Sequence, residues 1–99
     1  MYIFGDIGNT ETKFFLVSLN NKIIKKLTLS SKNINHAKLN KLFINLKIDY
    51  KKLKKIVFCS VVPKSFNVIK KFLSKKTKLK CYEVKALNLK NYKCIYLAI

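Results

Sequence analysis

Four carboxylates, Asp6, Glu11, Asp49 and Glu83, stand against 22 basic residues in this 99-residue chain, and one of the four lies where a carboxylate is costly. Asp6 closes the run Tyr2-Ile3-Phe4-Gly5-Asp6, at the end of what reads as an apolar strand. Burial there without a partner or a cation carries a desolvation penalty. Gly8, Asn9 and Thr10 follow at once, and then a second β-type run from Thr12 to Val17. A Gly-Asn turn between two such runs is a hairpin signal. It gathers backbone N–H groups, an amide and a hydroxyl in one place, a donor set suited to phosphate oxygens. The carboxylate beside them has the chemistry to hold a divalent cation, directly or through water. The plainer alternative is an ordinary turn with Asp6 solvated at its lip, and the turn alone does not choose between the two.

The elements that must position this turn can be read in order. Asn20-Asn21 punctuates, and Lys22 to Leu29 alternates as a third strand, giving a three-strand meander. The polar segment from Ser30 to Asn35 ends the sheet pattern. Leu39, Leu42, Phe43 and Leu46 then recur at helical spacing, with Asn33 or Asn35 placed to cap the helix. The lysine-rich stretch from Ile48 to Lys55 reads as a solvated connection or an extra helical turn. Ile56 to Ser60 is a continuous apolar run, which fits a strand buried on both faces. Pro63 opens a second helix with Phe66, Ile69, Phe72 and Leu73 on its core face and Lys75-Lys76 at its end, and Leu79 to Val84 reads as a fifth strand. The expected fold is therefore mixed α/β in the order β-β-β-α-β-α-β. That is also the order of one lobe of the ribonuclease H-like, actin-like ATPase fold.

From Ala86 to Ile99 neither period is clean, and the chain stops on Leu97-Ala98-Ile99. Residues 1–85 are expected to form one lobe, and 86–99 an irregular segment that something normally follows. The length allows one domain. The formal charge of +18 ordinarily points to nucleic acid or an anionic surface. Every basic residue here is Lys, however, and the bidentate contacts that nucleic-acid readers favour come from Arg. That weighs against a nucleic-acid partner, although lysines alone still supply salt-sensitive attraction. Cys59, Cys81 and Cys94 are odd in number and far apart, with His36 the single histidine, which argues against zinc or a disulfide framework. No run approaches the ~18 apolar residues of a membrane span. The expected setting is the cytoplasm.

At this point the residues resemble the type III pantothenate kinases. Asp6-Ile7-Gly8-Asn9-Thr10 looks like that family's D-x-G-N-T phosphate motif, and Ser60-Val61-Val62-Pro63 looks like its S-V-V-P motif in the expected place. The resemblance covers roughly residues 1–85. It implies transfer of the γ-phosphoryl group of ATP to pantothenate, giving 4'-phosphopantothenate, the first step toward coenzyme A. It further implies a homodimer, Mg²⁺ and a monovalent cation, K⁺ or NH₄⁺. By resemblance, Asp6 would organise the metal, and Asp6, Ile7, Gly8, Asn9, Thr10, Glu11, Thr12 and Lys13 would line the nucleotide phosphates. Ser60 to Pro63 would shape the floor of the cleft. The family's G-A-D-R segment, whose Asp serves as general base, is missing from these residues, and so is the second lobe. The catalytic base is therefore unassigned. The 99 residues are expected to be an N-terminal part with little turnover alone. Two other readings stay open: a nucleotide-binding regulatory relative without catalysis, and a basic nucleic-acid-binding module.

Overall fold

A computed structural model describes residues 1–60 and 62–84. The segment 86–99, with Cys94, lies outside the described residues, and so does Val61 of the S-V-V-P run. The described chain is a mixed α/β fold: strands β1 (Tyr2–Ile7), β2 (Glu11–Val17) and β3 (Ile23–Ser30), helix α1 (His36–Ile44), a 3-10 turn (Tyr50–Lys52), strand β4 (Lys55–Ser60), helix α2 (Pro63–Thr77) and strand β5 (Cys81–Glu83). The five strands form one sheet in the order β3-β2-β1-β4-β5. β1 pairs antiparallel with β2 and parallel with β4, so the strand that ends in Asp6 runs through the centre. The meander accounts for the antiparallel half, and the crossovers through α1 and α2 account for the parallel half.

Period-two alternation sends the strand side chains to two faces. Ile3, Ile7, Phe14, Leu16, Ile56 and Phe58 join Leu39 and Phe43 of α1 and Ile69, Phe72 and Leu73 of α2 in the larger core cluster. Tyr2, Phe4, Phe15, Val17 and Val57 form a second buried cluster on the opposite face. β4 is thus buried on both faces, as its unbroken apolar run implies. β3 is the wet edge. Its register against β2 shifts between Leu16 and Val17, which leaves Ile24 as the extra residue of a bulge, 51% exposed.

The helices begin where their capping chemistry puts them. Asn35, not Asn33, caps α1, its Oδ1 accepting from the Lys38 N–H at 2.9 Å. Asn33 instead takes a left-handed backbone at φ 57° in the preceding turn. Pro63 occupies the first turn of α2, where its missing N–H costs nothing. α2 runs past Lys75-Lys76 to Thr77 and stops at Lys78, whose left-handed backbone turns its N–H onto the Ser74 carbonyl. Thr77 Oγ1 also takes the Leu79 N–H, so β5 starts at Cys81 rather than at Leu79. The lysine-rich connection is less wet than its composition suggests. Asp49 caps the 3-10 turn, and Leu53, just after it, is 4% exposed.

Gly5 allows the centre of the sheet to close. A methyl group on it would fall within the ring of Phe58, its neighbour on β4. Gly5→Ala is expected to destabilise the fold by about 1–3 kcal/mol, the usual cost of overpacking. In urea melts, Phe58→Leu should recover part of that loss in the double variant. A Gly5→Ala protein as stable as the parent would mean that the ring has room to yield.

Candidate functional site

Strand β1 carries Asp6 to the end of the sheet where the β1–β2 turn and the C-terminal end of β4 meet. Lys13 lies opposite Asp6 on β2, and Cys59 lies opposite it on β4. Asp6 is half-buried. Desolvation raises its carboxyl pKa, and the charge of Lys13 opposes that rise without cancelling it. Lys13 is therefore a positive neighbour of Asp6 and more than a strand lysine facing water. The Cys59 thiol is pushed up by burial and then by the carboxylates of Asp6 and Glu83, which keeps it protonated and poorly nucleophilic.

The four carboxylates part company here. Glu83 on β5 is near enough to act on Cys59, so it shares this end of the sheet with Asp6. Glu11 is exposed beside the turn. Asp49 accepts from the Lys51 N–H at 3.1 Å in the 3-10 turn, and Lys54 N–H of the same segment bonds to Met1, the far end of β1. It has no access to the site.

The turn itself closes in an unexpected way. A Gly-Asn hairpin signal predicts left-handed backbone, yet neither Gly8, Asn9 nor Thr10 has a positive φ. Ser31, just beyond β3, holds the turn instead. Its Oγ donates to the Gly8 carbonyl at 2.6 Å, and its N–H donates to the Thr10 carbonyl at 2.9 Å. With its one proton on Gly8, Ser31 Oγ must accept from the Thr12 hydroxyl, 2.9 Å away. Gly8 N–H is spent on the Glu11 carbonyl at 3.0 Å. Ile7 and Thr12 are buried, at 1% and 0% exposure, so they have no free side-chain donor to turn outward. Asn9 and Thr10 are exposed, and their side chains make no hydrogen bond among the described residues. The outward chemistry of the motif thus rests on Asp6, Asn9, Thr10 and Lys13. The sequence offered only a faint signal for Ser31, a serine at the end of a strand in a polar stretch.

The donor set suits magnesium in one respect. Mg²⁺ in phosphoryl-transfer sites is commonly held by one or two carboxylates together with substrate phosphates. Asp6 supplies one such carboxylate, already in need of compensating charge. Among the described residues no three or more His, Cys, Asp or Glu gather as a metal site.

This sheet, with a carboxylate and a phosphate-type turn at the end of its central strand, is the arrangement on which the comparisons bear. A family model described as Type III pantothenate kinase matches residues 2–93, and the chain belongs to that family. It is similar to the type III pantothenate kinase of Pelagibacter ubique (strain HTCC1062), with 54% identity over 89 residues, 90% of this chain and 36% of that protein. The chain thus spans little more than a third of that relative's length.

Two measurements probe the geometry. Ser31→Ala strands the buried Thr12 hydroxyl and the Gly8 carbonyl, and should cost about 1–3 kcal/mol in denaturant melts and hasten exchange of the Gly8 amide. Ser30→Ala, one residue earlier and exposed, should stay within about 0.5 kcal/mol of the parent. Asp6→Asn tests the raised pKa. With the folded value raised above that of an ordinary carboxyl group, ionised Asp6 opposes folding at neutral pH, and the penalty fades as pH falls through the folded and then the unfolded pKa. In EDTA the Asn variant should melt higher than the parent at pH 7 and equal to it near pH 3. A lower melting temperature at pH 7 would show the Lys13 attraction to be the stronger effect.

Proposed function

We propose that this chain supplies the nucleotide-binding lobe of an ATP-dependent pantothenate kinase, which phosphorylates the primary hydroxyl of pantothenate to give 4'-phosphopantothenate. The reading rests above all on Asp6, a desolvated carboxylate held at the end of the central strand, beside the turn, in a member of this family. The sheet order β3-β2-β1-β4-β5, antiparallel through the meander and parallel through the crossovers, supports a ribonuclease H-like, actin-like lobe. The likeness to the Pelagibacter ubique kinase supports the substrates.

In this reading the side chains of Asn9 and Thr10 orient the phosphates, and Lys13 sets positive charge close to them. Glu11 and the backbone of Ile7, Gly8 and Thr12 shape the same segment. Asp6 would hold Mg²⁺, which supplies charge neutralisation on the phosphate oxygens when bound. Phosphoryl transfer asks mainly for such positioning and neutralisation. The general base is not among these eight residues. A monovalent cation, K⁺ or NH₄⁺, a homodimeric assembly and a cytoplasmic setting belong to the same proposal. Among the described residues no helix is long and apolar enough to cross a membrane.

The 99-residue chain should bind MgATP in a calorimetric titration without measurable phosphorylation of pantothenate. Asp6→Asn should weaken MgATP binding at least tenfold while leaving any metal-free ATP binding nearly unchanged. Robust turnover by the 99 residues would refute the missing-base argument. Binding indifferent to both Mg²⁺ and Asp6, with a steep salt dependence, would favour a polyanion-binding role instead.

A further inference from the structure

Asn9 and Thr10 form a two-residue loop between Gly8 and Glu11, closed by the Gly8 N–H on the Glu11 carbonyl at 3.0 Å. The turns that match the right-handed twist of the strands at such a loop need a positive φ at one or both central residues. Asn9 and Thr10 have none. A turn of the other hand splays the strands it joins, so this loop calls for a restraint from elsewhere in the fold. Ser31, 8% exposed, supplies it from beyond β3. It holds two carbonyls of the loop, that of Gly8 through its hydroxyl at 2.6 Å and that of Thr10 through its N–H at 2.9 Å.

The direction of a carbonyl decides the direction of the next amide. A trans peptide unit is planar, and no cis bond occurs among the described residues, so each C=O and the N–H that follows it point opposite ways. With the Gly8 carbonyl drawn to Ser31, the Asn9 N–H is turned away from Ser31. That N–H belongs to an exposed residue with an amide side chain, and Thr10, exposed beside it, adds a hydroxyl. Buried Thr12 braces the tether: its hydroxyl donates to Ser31 Oγ at 2.9 Å and leaves the serine's own proton to Gly8.

We infer that Ser31 is a positioning residue for nucleotide binding, which touches no ligand and acts through the Gly8 carbonyl to aim the Asn9 amide at phosphate oxygens. The inference rests on the kinase reading and deepens it, because it makes the phosphate turn depend on the end of β3 as well as on β1 and β2. A loop set in advance gives up less freedom when its ligand arrives, and affinity gains by that amount. Position 31 requires a small buried side chain that gives one proton and accepts another, as a hydroxyl does.

The test is a calorimetric titration of the 99-residue chain with MgATP, well below the melting temperature of every variant. Ser31→Ala should weaken binding about five- to tenfold, as loss of one hydrogen bond would. Ser31→Thr keeps the hydroxyl and should stay within about twofold of the parent. Ser31→Cys, similar in size but a weak donor, should fall between them, and it takes the place of the alanine variant if that one does not fold. Leu53→Val is the control for stability alone. Leu53 is buried beside the opposite end of β1, where the Lys54 N–H meets the Met1 carbonyl. Its substitution should lower the melting temperature yet leave the affinity within about twofold. In ¹⁵N spectra without nucleotide, the Asn9 amide should shift in Ser31→Ala and return toward its parent position in Ser31→Thr. Parent-like affinity in Ser31→Ala, or an equal loss in Leu53→Val, would overturn the positioning role and leave the kinase reading standing. Failure of the parent chain itself to bind MgATP would refute the kinase reading and this inference with it.

Discussion

The structure turns on holding a carboxylate at the end of its most buried strand. β1 is paired on both edges and packed on both faces, and desolvation outweighs the single nearby ammonium at Asp6. A sheet tolerates this only where it stops, so the strand's last turn of pleat becomes the place where charge can be met from outside. Each neighbouring feature serves that end. Gly5 lets β4 come close, and Ser31 fastens the turn to β3. Lys13 and Cys59 flank the carboxylate with one charged and one neutral group. The residue that is costly for folding is the one that the proposed chemistry needs, a familiar relation between local strain and function.

Much of the framework was legible because burial and periodicity are local properties. The unbroken apolar run at Ile56 to Ser60 and the helical spacing of Ile69, Phe72 and Leu73 leave little choice of element, and Pro63 marks a helix start on its own. Asp6 was legible as an anomaly, a charge at the end of an apolar run. Less accessible were relations across the fold. Nothing near Ser31 in sequence tells it that Gly8 and Thr12 will be its partners, 23 and 19 residues away. The hairpin was legible, but its closure was not, for the same reason: a Gly-Asn pair suggests left-handed backbone, and a side-chain tether from Ser31, just beyond β3, removes the need for it. Leu53 was hidden by the lysines on either side of it.

The lysines show how a composition can mislead. All 22 basic residues are Lys, and several lay their ammonium groups over aromatic rings at the margins of the core, Lys55 over Tyr2 at 5.3 Å and Lys26 over Phe15 at 5.9 Å. Long aliphatic stems of this kind cover apolar surface while keeping their charge in water. Part of the net charge is therefore packing, and it is poor evidence for a polyanionic partner.

The placement of β1 between a sequence-near and a sequence-distant neighbour also sets an order in time. Its antiparallel partner follows within a few residues, whereas its parallel partner begins at Lys55, opposite Tyr2. At a synthesis rate of about 5–20 residues per second, the interval between completing Ser30 and completing Ser60 is about 2–6 s. Through that interval the nascent meander holds its most apolar strand with one hydrogen-bonding edge open, the kind of template on which other strands assemble. The ribosome-bound chain is thus most exposed to mispairing before β4 emerges, and the same edge that later carries Asp6 into place is the one a chaperone would first need to shield.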